Sequence, residues 1–258
     1  MRQIRFSLFG EESQRRLRKS SAFVCGCGAL GNFVAMLLVR AGVGKVRIAD
    51  PDTVELVNLH RQILFDEADC QPPRLKVEAA AEKLRRANSE VSVEALPVRV
   101  TAENVEALCK DMDIIVDATD NFETRFLLND VAIKRGIPWV FGGCLGAEGQ
   151  VLAIVPGRTP CLQCLLGECP PSGMDFTCEM VGIFGPVAGV IASLEAMEAI
   201  KILSGNVERI VPRLTVVDLW YGDIRQVDLT GLRENTDCPV CKKGQFRFLS
   251  GEVFPSGN

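Results

Sequence analysis

Histidine is nearly absent from this chain: there is one among 258 residues, with one tyrosine and two tryptophans. Acid–base or metal chemistry built on several imidazoles is thereby excluded. No apolar run reaches the ~20 residues that a membrane span needs. The longest candidate, Val187 to Leu203, is broken by Glu195, Glu198 and Lys201. A basic excess is also missing. The 29 Lys and Arg stand against 33 Asp and Glu, a formal net charge of -4, which speaks against a nucleic-acid ligand. The run Arg15, Arg16, Arg18 and Lys19 reads as a solvated helix face. Met1-Arg2-Gln3-Ile4-Arg5-Phe6 lacks the apolar centre of a signal peptide. The expectation is a cytoplasmic protein with its eleven cysteines reduced. An odd number spread over a long chain is no disulfide framework, so metal binding or thiol chemistry becomes the question.

A 47% hydrophobic content over this length suffices for a full core. The first half alternates strand and helix signals. Ala22–Cys25, Lys45–Ala49 and Asp113–Asp117 read as strands, and Val91–Val100 as extended. Leu30–Ala41, Arg74–Asn88, Ala102–Lys110 and Glu123–Arg135 read as helices. This alternation predicts an α/β fold, a mostly parallel sheet with helices on both faces. After Pro138 the pattern changes. Trp139–Gly143 and Gln150–Val155 are extended segments that predict an antiparallel continuation. Cys161–Cys178, rich in Cys, Pro and Gly, reads as a loop, and Pro186 opens a long apolar helix to Leu203. Leu214–Leu219 and Ile224–Leu229 resemble a hairpin. The expected organisation is a nucleotide-binding part over 1–156, a cysteine-rich continuation of the same domain over 157–245, and a tail over 246–258.

Gly26-Cys27-Gly28-Ala29-Leu30-Gly31 follows a strand and opens a helix, the context in which G-x-G-x-x-G has meaning. Glycine lets backbone approach a phosphate, and the helix N-terminus offers free N–H groups to an anion. Asp50 ends the next strand, where a carboxylate accepts from ribose hydroxyls. A Rossmann-like nucleotide site follows, but this signal does not separate NAD from ATP. An NAD-dependent oxidoreductase would need an acid/base residue beside the cofactor, and His60 is a poor candidate. A non-catalytic nucleotide-binding scaffold is the other alternative.

Asp50-Pro51-Asp52-Thr53-Val54-Glu55 leads into Asn58-Leu59-His60-Arg61-Gln62, then Lys76, then Asp117-Ala118-Thr119-Asp120-Asn121. Together with two C-x-x-C pairs in this order, the chain resembles the MoeB/ThiF-type adenylyltransferases, relatives of the ubiquitin-activating enzymes. The resemblance runs from Arg2 to Cys241. It implies ATP and Mg²⁺, and as substrate the C-terminal glycine of a small β-grasp sulfur-carrier protein. By the same resemblance Asn58, Arg61 and Lys76 contact the ATP phosphates, and Asp120 lies near the α-phosphate and Mg²⁺. Asp50 holds the ribose and Asn121 lines the pocket. Arg2 reaches into a neighbouring subunit's site, which implies a homodimer. A sulfurtransferase would be a separate partner. Two departures stand out: Ala29 where relatives often have glycine, and Arg74-Leu75-Lys76 in place of Pro-Lys. Taken singly, each residue has a plainer reading: a loop cap for Asn58 or Arg61, a solvated lysine for Lys76, a helix cap for Asp120.

Cys161-Leu162-Gln163-Cys164 and Cys238-Pro239-Val240-Cys241 supply four thiolates, the donor set of structural zinc. Their separation predicts a Zn²⁺ staple between the tail and the main domain. Cys178 is where relatives can form a covalent link to the carrier, and a thiol there can attack an acyl-adenylate if its pKa is lowered. Cys169 is a weaker candidate, while Cys25, Cys27, Cys109 and Cys144 read as packing residues. In the last long helix Val187, Val190, Ile191, Leu194, Met197, Ile200 and Leu203 form the expected core face.

Overall fold

The short apolar runs of the first half are too brief and too β-branched for helices, and they form parallel strands. In the computed structural model, which describes residues 2–170 and 178–252, the strands are β1 Ser21–Cys25, β2 Lys45–Ala49, β3 Ser92–Leu96 and β4 Ile114–Asp117. They are followed by β5 Trp139–Leu145, β6 Glu148–Ile154, β7 Arg213–Asp218 and β8 Asp223–Asp228. All lie in one sheet ordered β3-β2-β1-β4-β5-β6-β7-β8. Neighbours from β3 to β5 are parallel, and those from β5 to β8 antiparallel. The sheet thus continues across residue 156 without a break.

Helices α1 Gly10–Leu17, α2 Ala29–Ala41 and α3 Lys76–Ala87 precede the short α4, Val105–Leu108. Next come α5 Phe122–Arg135, α6 Leu162–Leu166, α7 Cys178–Val181, α8 Gly185–Leu203 and α9 Leu232–Asn235. Both α2 and α5 stop at a glycine in the left-handed region, Gly42 at φ 86° and Gly136 at φ 70°, the usual helix end without a Cβ penalty. Strand alternation sends Ala22 and Val24 to a core with α2, α3 and α8, and Phe23 and Cys25 to a second core with α5 and α6. Both faces of the sheet are therefore covered, as parallel strands require. No helix among the described residues is long and apolar enough to cross a membrane.

Several expectations need correction. Helix is confined to one turn of the 102–110 segment, and strand to five residues of the 91–100 segment. The cysteine-rich segment is not all loop, since α6 begins one residue after Cys161. The predicted apolar stripe of α8 does pack on the core, with Val187, Ile191 and Leu203 buried and Val190, Leu194 and Ile200 half-buried against it, but Met197 falls outside it and small residues widen the buried side. Met197 is 48% exposed, whereas Ala188, Ala192, Glu195, Ala196 and Ala199 are buried. Small residues bring α8 close to the sheet, and two glycines receive it. A Cβ at Gly149 would lie 2.4 Å from Ile191, and one at Gly142 only 2.3 Å from the Glu195 carboxyl. The basic run on α1 is exposed, as a solvated face should be.

Candidate active site

The carboxyl ends of β1, β2 and β4 open into a cavity of about 1250 Å³, larger than a usual small-molecule pocket of about 300–1,000 Å³. The glycine turn forms one wall. At Gly26, φ is 100°, and a Cβ would come within 2.5 Å of the Ala118 carbonyl oxygen. At Gly31 a Cβ would fall 2.1 Å from the Gly26 carbonyl oxygen, which fixes the close seating of α2 on the turn. Gly28 differs: its nearest neighbour would be Gln62 Nε2 at 4.0 Å, so its backbone faces open cavity. That is the position where a phosphate can approach. Ala29 is the first residue of α2 and lines the cavity beside it.

Asp50 braces the turn. Its Oδ2 accepts from the Cys27 N–H at 2.7 Å and its Oδ1 from the Asp52 N–H at 2.9 Å. Burial raises its pKa, opposed by nearby Lys76 and by these two N–H groups. A carboxylate has about four acceptor sites, so ribose hydroxyls remain within its capacity. The Lys76 side chain is 8% exposed, and its Nζ donates to Asp52 Oδ2 at 2.9 Å. The reading of Lys76 as a solvated helix lysine is therefore wrong: its ammonium is buried in the cavity wall.

Asn58, Arg61, Asp120 and Asn121 also line the cavity, so the motif residues separated in sequence meet in one place. The helix cap is Asn121, whose Oδ1 accepts from the Thr124 N–H at 2.9 Å. Asp120 is exposed and left free of capping duty. His60 also reaches the lining, where its Nδ1 lies 2.9 Å from the Val57 carbonyl oxygen and its Nε2 3.4 Å from Arg61 Nη1. Arg2 is exposed on the first turn of the chain and is not part of its own cavity's lining. Cys144 lines the cavity and is only half-buried, unlike the fully packed Cys25, Cys27 and Cys109. Burial pushes the Cys109 thiol up to about 12, which makes it inert at neutral pH. Cys178 opens the short turn α7, and its side chain lies outside the described residues. Cys169 lies in a separate cavity of about 320 Å³ beside the C-terminal knuckle.

Sequence reading missed a buried charged group at the cavity wall, where Arg125 is one of the lining residues. The Arg125 Nε stands 3.3 Å from Asp117 Oδ2, and its Nη2 donates to the Thr119 carbonyl at 2.8 Å and the Gly142 carbonyl at 3.3 Å. Glu195 approaches from α8, fully buried, with neither carboxyl oxygen hydrogen-bonded. Desolvation and the neighbouring Asp117 push its pKa well above the usual carboxylate range, against the pull of Arg125. No motif carries Glu195. Its one signal is an acidic residue at the buried phase of an otherwise Ala-rich helix face.

The four knuckle cysteines converge on the opposite face. Their sulfurs all lie within 4.8 Å of one another. Cys161 Sγ is 3.7 Å from Cys164 Sγ and 3.5 Å from Cys238 Sγ, and Cys164 Sγ is 3.4 Å from Cys241 Sγ. Four sulfurs at about 2.3 Å around a tetrahedral zinc stand about 3.8 Å apart, so the donor set and its spacing fit that ion.

A glycine turn on a helix N-terminus, a carboxylate at the end of the second strand and clustered cations define a nucleotide-binding α/β domain with a cysteine-stapled extension. The ThiF family profile matches residues 1–240, and the chain belongs to the ThiF family. It is 44% identical over 251 residues to the sulfur carrier protein ThiS adenylyltransferase of Bacillus subtilis, covering 97% of this chain and 73% of that protein. It is 40% identical over 245 residues to the sulfur carrier protein adenylyltransferase of Thermus thermophilus, covering 93% and 89%. Among solved structures, E. coli MccB with ATP superposes with a TM-score of 0.74 at 25% identity, over 90% of this chain and 68% of that one. Family membership removes the oxidoreductase alternative.

Proposed function

We propose that this protein adenylates the C-terminal glycine of a small ubiquitin-like, β-grasp sulfur-carrier protein. The carrying observation is the convergence of the glycine turn, Asp50, Asn58, Arg61, Lys76 and Asp120 on one cavity; the names of its relatives point the same way. ATP is the nucleotide substrate. The reaction must bring a carboxylate against a polyphosphate, so anion repulsion dominates its barrier, and fixed cations reduce it. Arg61, Lys76 and the Gly28 backbone neutralise and orient the phosphates, and Asn121 lines the nucleotide pocket. Asp120, exposed and with its Oδ1 accepting from Asn121 Nδ2 at 3.3 Å, would hold Mg²⁺ near the α-phosphate, where a divalent cation would screen developing charge. A carrier carboxylate oxygen attacks the α-phosphorus, the α–β phosphoanhydride bond breaks, and pyrophosphate leaves.

The remaining assignments belong to the same reading. Arg2 is supplied by a second copy of the chain, so the working unit is a homodimer. Zn²⁺ on Cys161, Cys164, Cys238 and Cys241 has no open position and is structural. Cys178 acts after adenylation in passing sulfur to the carrier, with a sulfurtransferase as the outside donor. Trp220, Tyr221 and Ile224 are exposed on the β7–β8 hairpin. The Trp220 ring centroid is 6.0 Å from that of Phe184, close to the cavity mouth at Ile183. This apolar edge suits a docked carrier.

ATP–pyrophosphate exchange with candidate carriers tests the proposal. Exchange is expected only with Mg²⁺ and a carrier ending in glycine. It should fall at least about 100-fold in Arg61→Ala and Asp120→Ala, and clearly in Arg2→Ala, with circular dichroism unchanged. Full activity in the first two variants would overturn the site.

A further inference from the structure

The ladder between β4 and β5 is short. It pairs only Ile115 with Trp139 and Val116 with Val140. Beyond these the two strands part, since β5 runs on to Leu145 beside β6 while the chain after Asp117 turns into the Ala118–Asn121 loop. The cavity lies in this opening, lined by Ala118–Asn121 on one side and Gly143–Leu145 on the other. One guanidinium spans the gap. The Arg125 Nη2 donates to the Thr119 carbonyl on one side and to the Gly142 carbonyl on the other, while its Nε faces Asp117. The rings of Phe122 and Phe141 hold the guanidinium, each centroid 5.2 Å from Cζ. Gly143 leaves the necessary space, since a Cβ there would be 3.3 Å from Nη2.

We infer that Arg125 is a positioning residue that clasps the loop carrying Asp120 to strand β5 across the opened seam. The inference rests on the adenylation reading for its catalytic consequence, but the clasp itself does not. Thr119 directly precedes Asp120, so the bond to its carbonyl fixes the backbone from which the Asp120 carboxylate projects. A fork of five donors in one plane can serve two carbonyls and a carboxylate together, and a lysine ammonium cannot reproduce that geometry.

The test is Arg125→Lys, read by amide hydrogen exchange of the ligand-free protein, ATP binding and ATP–pyrophosphate exchange with carrier. Amides of residues 119–122 are expected to exchange about tenfold faster than in the wild type, with the rest of the sheet unchanged. The turnover rate should fall about 10- to 100-fold, as misplacement of a reacting group does, while the Kd for ATP stays within about threefold. Unaltered exchange at 119–122, or a loss expressed mainly in ATP affinity, would overturn the inference, because the guanidinium would then act on the nucleotide directly. Should Arg125→Lys not fold, Phe122→Leu strips one side of the cage at a half-buried position. It must also loosen 119–122 and slow turnover, or the clasp is refuted. A wild type inactive with every carrier would defeat the adenylation reading, and the amide exchange would still decide the clasp.

Discussion

Glu195 shows how much a single residue can escape notice. Its carboxyl is buried beneath Gly142 with no hydrogen-bond partner and faces the carboxylate of Asp117 on β4. Arg125 on α5 compensates one negative charge, not two, so burial and Asp117 drive the Glu195 pKa upward. A carboxyl group with a folded pKa above its unfolded one favours the folded state at low pH and loses that contribution as pH rises past the unfolded value, here near 4.5. Glu195→Gln keeps the shape and removes the titration. Its melting temperature is expected to gain on the wild type as pH rises above about 5. Parallel curves would mean that Glu195 is already ionised in the fold. The motif residues were legible in the sequence because each sits at a fixed offset from a turn or strand end. Arg125 and Glu195 were not, because their roles arise where three distant elements meet.

Elements with strong periodicity and a clear stop were readable. Helices α2 and α5 match their expected spans because an apolar period ends in a left-handed glycine, Gly42 or Gly136. Helix α8 was readable in extent and in most of its apolar face, Met197 excepted; its buried alanines were not, since alanine gives little hydropathic signal yet packs where a larger side chain would not fit. Helix α6 was hidden in cysteines whose positions answer to one another's sulfurs rather than to helix period. Contact between α2 and the glycine turn offers a direct test at this scale. In an exposed helix Gly→Ala is favourable by propensity, but a Cβ at Gly31 would sit 2.1 Å from the Gly26 backbone oxygen. Gly31→Ala is therefore expected to destabilise the protein by about 1–3 kcal/mol in urea unfolding and to weaken ATP binding by displacing the turn. A stabilised variant would contradict the seating described.

At the scale of the whole molecule, the parallel half carries the nucleotide groups and the antiparallel half supplies the remaining cavity wall through Gly143, Glu148 and Val216. Alternating strand and helix signals gave away the first half. The second half was legible only as extended segments, since strand order among hairpins depends on contacts between distant residues. The thiol cluster joins the two ends of that second half. Cys161 and Cys238 are 77 positions apart, as are Cys164 and Cys241. With metal in place the chain between them forms a closed ring containing α8 and the β7–β8 hairpin. Closing so long a loop restricts the unfolded chain more than the folded one. One protease cut inside the ring should therefore leave a single particle on gel filtration under native conditions. Urea should not separate the fragments until a chelator is added, and fragments that part without one would show that no ion links them. The metal would act as a clasp on a belt: cut the strap anywhere along its length, and the buckle still holds both ends.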